Sequence, residues 1–288
     1  MKKHKNIYFL FTVDCDLRIS SSETRNESLL ALVDVFDKNR LSGHITWFLN
    51  ENDFVLTQLH QEFLKKIIKR NDAIGIHDHL DFMGSRRNYK AIYKFCSKSL
   101  ERVKDWLKEN KYKTKIQAHR FGNLLQHPEA YRALQNMGYS ICSDVCPENS
   151  SKGLSGKPSF NNKNIPLGIL PYRHNFKTIG SYKNDSGPLL QFPVIRGTLT
   201  ADYAAPLSKN IINAWIKGAE KLGNKACVIT FAFHPYEVVD IDKLIVDKRK
   251  ISGLENVITM MRKEYNAMFI SVEEYLSLSA ESCGNLKA

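Results

Sequence analysis

Ile7-Tyr8-Phe9-Leu10-Phe11-Thr12-Val13-Asp14-Cys15-Asp16 joins seven β-forming residues with no alternating polar face to two carboxylates one residue apart. A run without a polar side is a strand covered on both faces, as strands of parallel sheets are. Outward from it, strands and helices alternate. His44–Leu49 reads as the second strand, and Ala73–Ile76 as a third, ending at His77. Lys115–His119, Tyr139–Cys142, Leu167–Leu170, Leu189–Ile195, Ala226–Phe233 and Ala267–Ser271 follow as further strands. Between them apolar residues recur at helical spacing, in Leu29, Leu32, Val33 and Phe36, then in a stretch from Phe54 to Ile67. Helices are also expected over Asn88–Glu109, from Pro128, over Ile211–Leu222 and over Leu254–Tyr265. Residues 146–166, rich in Ser, Asn, Gly and Lys, read as an extended surface loop. Such alternation predicts an α/β fold with parallel strands wrapped by helices. No composition break or repeat divides the chain, so residues 1–288 are expected to form one domain.

Forty-two Lys and Arg against 30 Asp and Glu give a net charge of +12. The excess favours anionic partners through long-range attraction. The basic residues are scattered, no nucleic-acid motif is present, and nucleic acid is not expected as a partner. An anionic substrate or peripheral contact with a membrane surface fits better. The six cysteines show no Cys-x-x-Cys pairing, which suits a reducing compartment. The apolar run after the basic N-terminus is short and leads into Asp14, so neither a signal peptide nor a membrane span is read, and a cytoplasmic protein is expected.

The polar residues with chemistry stand at the ends of the strands. Asp14 and Asp16 follow the first, His77, His79 and Asp81 the third, Arg120 the fourth and His234 a late one. In a parallel barrel all strand C-termini share one face, where active sites form. Aspartate and histidine together suit a divalent metal with open positions. One carboxylate can hold the ion while its neighbour takes a proton from water, and a histidine opposite can protonate a leaving amine.

These residues resemble the polysaccharide deacetylase superfamily, carbohydrate esterase family four, over residues 6 to about 276. Thr12-Val13-Asp14-Cys15-Asp16 is similar to the family's opening Thr-x-Asp-Asp motif in its Asp-x-Asp form. Ile74-Gly75-Ile76-His77 matches its Ile-Gly-x-His, Ala118-His119-Arg120-Phe121-Gly122-Asn123 its Arg-centred motif, and Phe233-His234-Pro235 its closing His-Pro. The resemblance implies a deformed (β/α) barrel, seven-stranded, forming a single catalytic domain. It makes Asp14 the base, Asp16 and His77 metal ligands, and His234 the general acid. Arg120 is read as able to orient a carboxylate by a bidentate bond. The backbone N–H just after Arg120, near Asn123, would stabilise the oxyanion, and Tyr172 is placed as a lining residue of the cleft.

Two departures stand out. Four residues after His77 the family usually has a second histidine, and Asp81 stands there. Asp81 is taken as the third ligand with His79 as the alternative, the two-residue step from His77 being read as turning His79 away. The acidic residue the family often carries after its Met-Gly-Tyr region aligns with Cys142, with Asp144 two residues late. The activity implied is a metal-dependent hydrolase acting on C–N bonds other than peptide bonds. It would remove an N-acetyl or other N-acyl group from a nucleotide- or lipid-linked amino sugar in surface polysaccharide (O-antigen or capsule) biosynthesis. Zinc is the expected cofactor, with cobalt, manganese or nickel as alternatives. The competing expectation is a catalytically degenerate carbohydrate-binding protein on the same fold.

Overall fold

A computed structural model of the chain describes residues 6–16, 21–50, 58–80, 83, 88–148, 150–152, 158–174, 181–182, 187–196 and 205–284. In chain order the first elements are β1 (Asn6–Cys15), α1 (Ser22–Lys38), β2 (Ile45–Leu49), α2 (Gln58–Lys69), β3 (Ala73–Asp78) and α3 (Tyr89–Glu109). Then come β4 (Ile116–Phe121), α4 (Pro128–Asn136), β5 (Ile141–Val145), β6 (Ser150–Lys152), β7 (Pro158–Asn161), β8 (Tyr172–His174) and β9 (Leu189–Arg196). The remainder are α5 (Ala205–Lys221), β10 (Ala226–Phe233), β11 (Val239–Asp240), β12 (Ile245–Val246), α6 (Lys248–Tyr265), β13 (Met268–Phe269) and α7 (Val272–Gly284).

Seven parallel strands close on themselves in the order β10-β1-β2-β3-β4-β5-β9, with β9 returning to pair β10. This is the deformed (β/α) barrel. The distortion lies at the N-terminal ends of the strands. There β13 takes the edge of β1 at Tyr8 and Phe9, and β2 joins that edge only from Phe11. Likewise β8 runs antiparallel along β9 at Leu189–Gln191, whereas β10 pairs β9 only at Val194–Arg196.

The strands are covered on both faces, as their lack of a polar side requires. Inside the barrel Leu10, Phe48, Ala118, Ile141, Leu190, Phe192 and Val228 form one cluster. Outside, the odd-numbered Phe9, Phe11 and Val13 of β1 join the helices. Phe36 of α1 packs on Phe11, Trp47 and Phe233 with ring centroids 5.8, 5.9 and 6.1 Å apart. The helices begin where capping residues stand. Ser21 accepts from Thr24 N at 3.2 Å and Asn88 from Ala91 N at 3.0 Å, each satisfying a first-turn amide.

Two sequence expectations are corrected. Leu167–Leu170 is a turn, because Gly168 adopts φ +74° with its Cα against the backbone of Trp215 and Ala219 on α5. A Cβ there would lie 2.0 Å from Ala219 N. Its apolar neighbours Ile165 and Ile169 are buried without strand pairing. Residues 146–166, expected as loop throughout, include the antiparallel pair β6–β7. The expected start of the second helix, at Phe54, lies outside the described residues. Among the described residues no helix is long and apolar enough to cross a membrane.

Candidate active site

Period-two alternation decides which residues reach the strand-end cleft. Leu10 points into the barrel, so Asp14 and Asp16 follow on the same side. The register sets His77 of β3 beside Arg120 of β4. The cleft is lined by Asp14, Asp16, His77, Asn123, His234 and Tyr236, among others. Residues from four segments meet there.

Asp16, 5% exposed, faces two imidazoles. Its Oδ1 is 2.9 Å from His79 Nε2 and 3.5 Å from His77 Nε2. Burial pushes the Asp16 carboxyl up, but His77 and His79 outweigh it and hold it far below the ordinary aspartate range. His79 therefore does not turn away. Residues two apart on a strand share a face, and it is Asp78 between them that points outward. The ring of His79 fits because residue 122 is glycine: a Cβ there would lie 2.2 Å from His79 Nδ1. Asp81, taken as the third ligand, lies outside the described residues. One donor atom from each of Asp16, His77 and His79 lies within 4.8 Å of the others. Both ring nitrogens of His77, which is 2% exposed, are buried without a hydrogen bond. An orphaned imidazole beside a carboxylate fits a divalent cation, which would give that nitrogen the partner it lacks. Gly122→Ala, which pushes His79 off this position, is expected to weaken cobalt(II) binding roughly tenfold. Unchanged affinity by calorimetric titration would remove His79 from the donor set.

Asp14 is built differently. Its Oδ1 accepts from Arg120 Nη1 at 2.7 Å, and its Oδ2 lies 3.9 Å from His234 Nε2. Burial raises the Asp14 carboxyl, yet Arg120, His77 and His234 together bring it below its ordinary value. Arg120 is fully buried, with its guanidinium over the Phe48 ring at 4.3 Å. It donates from Nε to the Ser143 carbonyl at 2.9 Å and from Nη2 to Ser143 Oγ at 2.8 Å. Ser143 thus braces the arginine where the sequence alignment had considered Cys142 and Asp144. Cys142 faces Gln191 instead, and Asp144 Oδ1 accepts from the Phe121 amide at 2.6 Å. Burial raises the Asp144 carboxyl to about 8.

The Phe121 bond changes one expectation: the amide just after Arg120 is already taken. The following turn carries two consecutive left-handed residues, Asn123 at φ 54° and Leu124 at φ 51°, and both line the cleft. A bulky residue in this region is a costly conformation that tends to persist at functional sites.

His234 stands opposite, its Nε2 3.9 Å from both Asp14 Oδ2 and Asp16 Oδ2. Its Nδ1 and its backbone N–H both meet Glu237 Oε1 at 3.0 Å, and its ring stacks on Tyr236 at 4.6 Å. Glu237 fixes the ring and its tautomer, leaving Nε2 toward the cleft. The sequence reading missed Glu237. Its signal was the spacing of an N-cap, first-turn proline and acid in His234-Pro235-Tyr236-Glu237. Tyr172 is corrected: it is buried among Val145, Ile165 and Ile169 rather than lining the cleft, because β8 pairs the N-terminal end of β9. Phe121 and Tyr236 line the cleft in its place.

No family model matches the sequence, and no curated protein matches it. Solved structures do resemble its fold. A protein from Mycobacterium smegmatis described as a polysaccharide deacetylase superposes with a TM-score of 0.62 at 13% identity, over 100% of this chain and 93% of that one. Another so described, from Pseudomonas aeruginosa PAO1, gives 0.61 at 10% identity over 93% and 89%. The allantoinase PuuE gives 0.60 at 9% over 93% and 88%, so chemistry is not fixed by the scaffold. What these likenesses establish is that the chain has the deformed barrel fold of the polysaccharide deacetylases.

Proposed function

We propose that this chain is a divalent-cation-dependent N-deacylase of an amino sugar, its residues 1–288 forming one catalytic domain. The observation that carries the reading is the meeting of Asp14, Asp16, His77, His79 and His234 at one end of the barrel. Asp16, His77 and His79 would hold the cation. Two imidazoles and one carboxylate favour zinc, with cobalt, manganese or nickel able to replace it. Bound there, a divalent cation supplies Lewis-acid polarisation and makes water acidic enough to lose a proton near neutral pH. Asp14 Oδ2 accepts the proton of the attacking water while Arg120 holds the other oxygen. A backbone N–H of the Gly122–Leu124 turn faces the oxygen on which charge develops. His234, oriented by Glu237, passes a proton from Nε2 to the departing amine.

The basic charge supports an anionic, nucleotide- or lipid-linked sugar, as met in the cytoplasm during surface polysaccharide synthesis. The non-catalytic alternative drew on an incomplete ligand set at Asp81, and His79 supplies a third donor without it. Protein given zinc or cobalt(II) is expected to release acetate from nucleotide-linked N-acetylhexosamines. Treatment with chelator stops release, and returning the cation restores it. Cation-loaded protein that frees no acyl group from a panel of N-acylated amino sugars would defeat this function.

A further inference from the structure

Behind the strand ends, on the far side of β3 from the cleft, lies a second polar cluster that the proposed reaction does not use. Asp78 stands between His77 and His79 and points outward, into the layer between the barrel and α3. It is 2% exposed, accepting from Ser99 Oγ on α3 at 2.7 Å and meeting His119 Nε2 on β4 at 3.0 Å. Cys96 of α3 is grouped with them. The rest of this helix face is largely apolar, with Ile92, Leu100, Val103 and Leu107 all buried. A charged group in such a layer does less for stability than well-packed apolar residues would. It does give direction.

The register shows which way. Ile76 pairs with His119, His77 with Arg120 and Asp78 with Phe121, so the Asp78–His119 bond crosses the β3–β4 pair diagonally. A diagonal bond resists slip of one strand along the other. Slip would carry His77 and His79 past Arg120, and with Arg120 the carboxylate of Asp14. The contact from Ser99 fixes the same carboxylate to the helix, so one side chain ties three elements together.

We propose that Asp78, Ser99 and His119 form a buried latch that sets the spacing between His77 and His79 on one side and the Arg120–Asp14 pair on the other. They are positioning residues, since none lines the cleft. This inference rests on the cation-dependent reading above.

The test titrates cobalt(II) into metal-free protein by calorimetry, beside thermal melts. Asp78→Val combined with His119→Phe fills the layer with apolar groups, while Ser99 Oγ keeps the Phe95 carbonyl at 3.5 Å. This variant is expected to melt near or above the wild type and to bind cobalt roughly tenfold more weakly. His119→Gln, which returns an N–H donor toward Asp78, regains most of the affinity. Should the double variant not fold, Ser99→Ala, which frees Asp78 from α3 alone, is read the same way. Wild-type affinity in the double variant (or in Ser99→Ala when that replaces it), or loss in the Gln variant as large as in the apolar one, overturns the latch. A second equivalent of cobalt that disappears in Cys96→Ser also overturns it, because the cluster would then hold a cation itself. Wild-type protein that takes up no cobalt defeats the reading of the site together with the latch.

Discussion

Asp14→Asn is expected to lower kcat for acyl release by roughly 10²–10⁴-fold, the range a positioned general base contributes, and to lower the melting temperature because the buried Arg120 keeps its charge, while leaving cobalt affinity close to wild type. Asparagine keeps the shape and, through Oδ1, the bond from Arg120 Nη1, which is 2.7 Å long in the native protein. What it loses is the capacity to take a proton at Oδ2, the oxygen turned toward His234. Cation binding is spared because Asp16, His77 and His79 form the donor group without Asp14. The direction of the Asp14 shift adds a second expectation. Burial raises this carboxyl, but Arg120, His77 and His234 overcome burial, so the base stays ionised below the ordinary aspartate range. Loss of activity on mild acidification must then come from another group. An acetate assay, a melt and a cobalt titration on the same preparation decide the matter. Activity persisting at wild-type level in Asp14→Asn would end its assignment as base.

Arg120→Met is expected to have the largest effect on stability, about 3–5 kcal/mol at neutral pH, as when one partner of a buried ion pair is removed. The guanidinium is fully buried, bonded to Asp14 and twice to Ser143, and stacked on Phe48. Methionine fills part of that volume and leaves Asp14 charged, buried and without its main partner. The loss depends on pH with a definite sign. In the wild type the folded-state pKa of Asp14 is below its unfolded value. The pair therefore stabilises above the unfolded pKa, and its contribution disappears as pH falls through the folded one. In the variant the largest influence left on Asp14 is burial, which lifts its pKa above the unfolded value. Folded protein then takes up a proton that the unfolded chain does not, and the variant gains stability as pH falls through the raised pKa. The gap between the two proteins should be widest near neutrality and narrow toward about pH 4, near the ordinary aspartate pKa. Urea melts across that range test it. A gap constant with pH would mean that the packing of Arg120, and not its charge, is what matters.

The parts of this protein legible in its sequence were those with a local period. Unbroken apolar runs such as Phe9–Val13 announce strands covered on both faces, and helical spacing around Leu29–Phe36 announces their cover. Strand-end residues followed from these two patterns and the rule that a parallel barrel gathers its C-termini. Four features were not legible, each for a physical reason. Motif spacing points to Asp81, while period-two alternation brings His79 onto Asp16. The partner of Arg120 depended on which edge of β5 faces it, and Ser143 meets it from there. Tyr172 is expected at the cleft, but a long-range pairing with β9 buries it beside Val145, Ile165 and Ile169. Leu167–Leu170 has the composition of a strand and the backbone of a turn, because Gly168 must pass close to α5.

The two half-length seams, where β13 and β8 take strand edges that β2 and β10 occupy further along, divide the barrel mechanically. Toward the C-terminal ends β1 is bonded to β10 and β2, β3 to β2 and β4, and β9 to β10. A push on one of these strand ends is shared with its bonded neighbours. At the opposite rim the hoop is interrupted by strands of two and three residues, which can give way without dragging their neighbours. The molecule is stiffer where Asp14, Asp16 and His77 must keep their distances than at the opposite rim.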